Sequence, residues 1–173
     1  MDLDCRCVPS GQVMTPTTFK ERVFSAFRDS GFSPRSGMVE RESGFASVVV
    51  GVERGFGNQF FINVGFVLSA LSGPSPVRRI QDAHLYFRLE RLFPEYREQI
   101  LTAGSLGETA QEEALDGLLQ AVRTDISASL GVLQQAEGLA EAHKAGLLKG
   151  GLVHAAARDL LDAITVTDHP RNL

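Results

Sequence analysis

Residues 45–68 read FASVVVGVERGFGNQFFINVGFVL. Two apolar runs flank a short glycine-rich break. Ala46, Val48, Val50 and Val52 share one face of the first run; Phe60, Ile62, Val64, Phe66 and Leu68 share one face of the second. Such alternation marks strands with one face on a core. Gly55, Phe56, Gly57 and Asn58 lie between the runs. Glycine and asparagine tolerate the positive φ of a tight reversal, so the stretch reads as an antiparallel hairpin. The opposite face carries Phe45, Val49, Phe61 and Val67. That second face is too apolar to be simply wet. Either C-terminal helices cover it or it is a binding surface.

Before the hairpin, 14–30 reads as a helix. Thr15 caps it, Pro16 suits its first turn, and Phe19, Val23, Ala26 and Phe27 form a stripe. Gly31 ends it. Ser36 to Arg41 is a weakly apolar candidate edge strand. After the hairpin, Leu71 to Pro76 is a Ser/Gly/Pro-rich break, followed by Arg78 and Arg79, a solvated pair in its plain reading and an anion site in the alternative. His84 to Leu89 alternates again and reads as a strand, with a helix over 80–93 as the competing reading. Beyond Gly107 the pattern is helical. Thr109 to Glu112 forms a capping box, and Leu115, Leu118, Leu119, Val122, Ile126, Leu130 and Leu133 mark one long helix, bent near Gly131. A shorter helix at about 139–144 and a last one from Val153 to Ile164 follow, separated by Gly150–Gly151.

The predicted fold class is α+β: an antiparallel sheet of about four strands, covered by an N-terminal helix and a C-terminal helical segment. The predicted division is a disordered tail at 1–13, a single α+β domain at 14–167 and a C-terminal tail at 168–173. Translation starts at Met1 or Met14; the sequence fits either.

Composition narrows the function classes. A chain of 173 residues is long enough to bury a core without staples. A net charge of -4 argues against general nucleic-acid binding, which needs clustered Lys and Arg. No tryptophan and only two tyrosines leave few platforms for base stacking. No apolar run is long enough for a membrane span, and the acidic, polar start does not resemble a secretory signal, so the expected location is cytoplasmic. Cys5 and Cys7 lack the further ligands of a zinc site, so neither a metal nor a cofactor is expected.

The segments TTFKERVFSAFRDSGF, FASVVVGVE, FFINVGF with Asn63 and Gly65, HLYFRLERL with Arg88 and Leu89, and LLKGGLVHAAARDLL together resemble a bacterial family, the domain-of-unknown-function family numbered 4304. The resemblance covers most of the chain after Met14. Such relatives often carry tryptophan after Leu92, and this chain has none. The resemblance implies a bacterial source and supports the α+β architecture. It brings no activity, cofactor or site with it.

Among the four histidines there is no HExxH, and no GxSxG, P-loop or dinucleotide fingerprint occurs. One constellation stands out. Gln59, Asn63, His84, Tyr86 and Arg88 project from one sheet face if the strands pair as drawn. These groups bond a carboxylate, phosphate or peptide, which makes them a ligand or partner face. The plainer reading is a buried network joining sheet to helices, with Arg88 held by a carboxylate or by helix carbonyls. The leading expectation for function is a non-enzymatic protein-binding module, an inhibitor or immunity-like protein whose acidic surface meets a basic partner such as a toxin. The alternative is a small-molecule binder or enzyme using the polar sheet face. Oligomeric state is not legible.

Overall fold

The computed structural model describes residues 14–73 and 77–167. The expected tails and the Cys5–Cys7 pair lie outside them. Helix α1 (Pro16–Asp29) starts as its sequence dictates: Thr15 Oγ1 accepts from the Thr18 N–H at 3.1 Å, and proline occupies the first turn. It ends where the N–H groups of Ser30 and Gly31 turn back to the carbonyls of Phe27 and Arg28.

The sheet has six antiparallel strands in sequence order, not about four: β1 (Ser33–Arg35), β2 (Met38–Arg41), β3 (Ala46–Arg54), β4 (Phe60–Leu68), β5 (Leu85–Arg88) and β6 (Leu152–Val153). The single edge strand expected at 36–41 is therefore a hairpin of its own. Ser36 and Gly37 both have positive φ, 40° and 79°, the signature of a two-residue turn matched to strand twist. The central hairpin pairs Ala46 with Leu68, Val48 with Phe66, Val50 with Val64 and Val52 with Ile62. Both expected apolar rows thus fall on one face. They join the main core, which also holds Phe19, Val23 and Phe27 of α1, Leu85 and Phe87 of β5, and residues of the later helices. Phe19 meets Phe60 with ring centroids 5.9 Å apart.

At β5 both readings of the sequence hold in part. The strand ends at Arg88, and a short helix, α2 (Leu89–Leu92), begins at the next residue. Then come α3 (Arg97–Ala103), α4 (Gln111–Ala121), a π-helical stretch (Val122–Ile126) and α5 (Ser127–Leu133). The expected capping box does not form. Ala110 stands at the N-cap position of α4 with no side-chain bond, and Gln111 is buried, donating to the Ala103 carbonyl. The irregularity in this long helical run is the π stretch and not a bend at Gly131. It accommodates Asp125, which accepts from Tyr96 Oη at 2.6 Å, and Arg123, which pairs with Asp29 at 3.0 Å. Helices α6 (Ala136–Lys144) and α7 (Ala155–Thr167) complete the layer on the main face.

The second face is covered in part, and not by the C-terminal helices. No C-terminal helix lies in its small apolar cluster of Met38, Val49, Ile80 and Ala83, against which Val67 and Tyr86 pack. The cover comes from the β4–β5 connection. Gly65 makes room for it: a methyl group there would lie 2.7 Å from Ala83 Cβ.

Candidate functional site

Register fixes which side chains share the second face. Across the sheet one row is Val49, Gly65, Tyr86 and Leu152; the next is Gly51, Asn63 and Arg88; the last before the hairpin tip pairs Glu53 with Phe61. Three of the five expected residues, Asn63, Tyr86 and Arg88, therefore lie together. Gln59 does not join them. Its Nε2 donates to the Phe60 and Leu101 carbonyls at 3.1 and 3.2 Å, and its Oε1 accepts from Ser105 Oγ at 2.7 Å. It fastens the tip end of the hairpin to the end of α3.

Glu53, absent from the expected set, is the centre of the cluster. Its carboxylate accepts from Asn63 Nδ2 at 2.7 Å, from Gln81 Nε2, and from the Tyr86 hydroxyl at a long 3.5 Å. All three donors are neutral, and Glu53 forms no ion pair among the described residues. Burial first, then the Glu53 carboxylate, pushes the Tyr86 phenol above its ordinary value, with Arg88 opposing. Tyr86 is thus a neutral donor. Asn63 is 1% exposed, and its Oδ1 has no hydrogen-bond partner. Glu90, at the start of α2, is 3% exposed with an unpartnered Oε2.

Arg88 is half-buried. It is held neither by a carboxylate nor by helix carbonyls. Its guanidinium carbon lies 3.8 Å from the centroid of the Phe61 ring. Arg88 donates no hydrogen bond and forms no ion pair among the described residues. Stacking occupies its flat face and leaves its N–H edge free.

His84 stands apart, at the other end of the face. It lines a cleft of about 730 Å³ together with Arg35, Glu40, Glu42 and Asp82. Arg35 and Glu40 pair across it. His84 Nδ1 accepts the Leu68 N–H at 2.9 Å. Phe66 pairs with Leu85, so continuing that register would bring Leu68 opposite Ala83, where the chain has already turned away. The imidazole takes the place of the missing carbonyl for a fully buried residue. Burial, and next the neighbouring His154, lowers the His84 pKa from its ordinary 6.5, against a backbone bond at Leu71 that raises it. The unfolded chain then takes up this proton first. Stability should be intact above about pH 6.5, fall as pH drops through the folded value, and level off below it. Urea midpoints of wild type and His84→Gln across this range check this: wild type should lose more than the variant, and parallel curves would contradict it.

The cluster around Glu53 contains no serine, cysteine or histidine nucleophile. Among the described residues no group of three or more His, Cys, Asp or Glu side chains is placed to hold a metal ion. Among the described residues no helix is long and apolar enough to cross a membrane. No family model, curated protein or solved structure matches the chain. What the site can do rests on its own geometry: a stacked cation with free donors, a phenol and a carboxylate on an open sheet face.

Proposed function

We propose that this chain is a non-enzymatic protein-binding module, of the inhibitor or immunity-like kind, and that it docks through the uncovered part of its second sheet face. The observation that carries this reading is Arg88, stacked on Phe61 at 3.8 Å with every N–H donor free of partners among the described residues. Arginine and aromatic side chains dominate the energetics of protein interfaces. Tyr86 and Leu152, the latter 55% exposed, extend the strip to one side. Phe56, 100% exposed at the hairpin tip, extends it to the other.

Charge supports a basic partner. The chain carries a net charge of -4, and the cleft between α3 and α4 is lined by Glu95, Glu98 and Glu113 with no lysine or arginine among its lining residues. Such a field speeds encounter with a cationic protein and disfavours acidic ones. The small-ligand reading of the same face draws on the two buried oxygens without partners, Asn63 Oδ1 and Glu90 Oε2.

Arg88→Ala separates recognition from folding. It removes one cation–π contact, so the folded state should lose no more than about 1 kcal/mol. Capture of a partner on immobilised protein should be lost with Arg88→Ala and retained with Gln120→Ala, an exposed change on α4. A large drop in melting midpoint, or equal capture by both variants, would remove Arg88 from the docking role.

A further inference from the structure

A second concave site lies beside the short strand β6. The turn after α6 and the start of α7 enclose a cavity of about 230 Å³ lined by His143, Leu148, Lys149, Gly151, Val153 and Arg158. Three of these six side chains are basic and none is acidic, in a chain of net charge -4. The local sequence explains the convergence. His143 sits in the last turn of α6. Gly146, at φ 78°, reverses the chain into a 3₁₀ turn that carries Lys149. The Lys149 stem lies over Gly146, with Cε 3.1 Å from where a methyl group would sit. Arg158 projects from the first turns of α7.

The two permanent cations at this site, Lys149 and Arg158, have no carboxylate partner among the described residues. Lys149 forms no ion pair or side-chain hydrogen bond among the described residues, and Arg158 makes only a long 3.5 Å contact to the Val153 carbonyl. The one carboxylate at the site, Asp162, bonds His143 Nε2 at 3.0 Å, which orients the ring. Like charges converging on a small hollow repel, and the arrangement is relieved by an anion between them. The first turn of α7 carries no acidic residue to oppose this.

We propose that this cavity binds a phosphate-sized oxyanion, as free phosphate or as the phosphate group of a small metabolite. Arg158 supplies the planar fork and Lys149 a point charge, while His143, held by Asp162, forms part of the wall. The cavity is smaller than a drug-sized ligand pocket, which suits one such group and not a large organic body. Its lining shares no residue with the docking strip, although Gly151 and Val153 flank Leu152 in the chain.

Titration of the full chain with sodium phosphate, against sodium chloride at matched ionic strength, tests this by amide chemical shifts. Phosphate should produce saturable shifts concentrated between His143 and Arg158. Losing one charge-assisted contact should weaken binding about tenfold in Lys149→Gln and in Arg158→Gln. Both side chains are exposed, so both variants should fold. Glycerol phosphate distinguishes the sources: tighter binding than phosphate indicates a metabolite's phosphate group, and equal or weaker binding indicates the free ion. Shifts no different from chloride, or undiminished affinity in the Lys149→Gln, Arg158→Gln double variant, would overturn the assignment.

Discussion

Ile62→Ala should cost about 2–5 kcal/mol, because it removes a fully buried branched side chain from a close-packed site. Ile62 is 1% exposed, pairs with Val52 across the central hairpin, and belongs to the core that contains Phe19 and Phe27 of α1. The backbone at this point is paired with β3, and pairing with β5 begins at the next residue, Asn63, so the surrounding residues have little freedom to close the cavity. Phe61→Ala is the matched control. Phe61 points to the opposite face, is half-buried and should cost less despite its larger ring. Urea unfolding of the two variants measures both losses. A larger loss for Phe61→Ala would mean that the faces are exchanged.

Gln134→Ala should cost about 3 kcal/mol, although it removes no apolar surface of consequence. Gln134 follows α5 and is buried. Its Nε2 donates to the carbonyls of Arg41 and Ala46 at 2.8 and 3.1 Å, and its Oε1 accepts from Arg41 Nε at 2.6 Å. Arg41 reaches from β2 into the main face, where its guanidinium also donates to the Ser127 carbonyl at 3.0 Å and lies 4.6 Å from the Phe32 ring. Burial lowers the Arg41 pKa below its ordinary value, and no carboxylate partners it among the described residues. Truncating Gln134 therefore strands two carbonyls and one guanidinium N–H, and the penalty falls on the groups left behind. Denaturant midpoints against Gln120→Ala, an exposed glutamine on α4, check it. A loss below about 1 kcal/mol would mean the stranded groups find other partners.

The hairpin was legible because its period of two runs from Ala46 to Val52 in β3 and from Phe60 to Leu68 in β4. The additional strands were not. β1 is Ser-Pro-Arg and β6 is Leu-Val, too short and too mixed for any period to register. Leu85, Phe87, Leu89 and Leu92 fitted both strand and helix because the chain changes from one to the other at Arg88. The cover of the second face was invisible for a related reason. Ile80 and Ala83 are isolated apolar residues in a connection with no periodicity, and only the space left by Gly65 shows where they sit.

The site was legible in part. Asn63, Tyr86 and Arg88 follow from alternation and from pairing β4 with β5. Glu53 read as one polar residue at the end of an apolar run. Its role depends on the diagonal reach of Tyr86 and Asn63 across the sheet, which no single-strand pattern carries. Gln59 was placed on this face by continuing the alternation of β4 back from Asn63, but its amide is engaged by α3 and Ser105. For Arg88, the aromatic face in the next row of the register competes successfully with the carboxylates nearby.

The docking role of the second face is tested most directly by a photo-crosslinking residue at position 152, where Leu152 is exposed beside Tyr86 and contributes nothing to the main core. In cells that make this protein, irradiation should give one discrete protein adduct from position 152, lost when Arg88→Ala is added. The same residue at position 120, on the outer surface of α4, should give none. No adduct from position 152, or the same adducts from both positions with and without Arg88, would contradict the account.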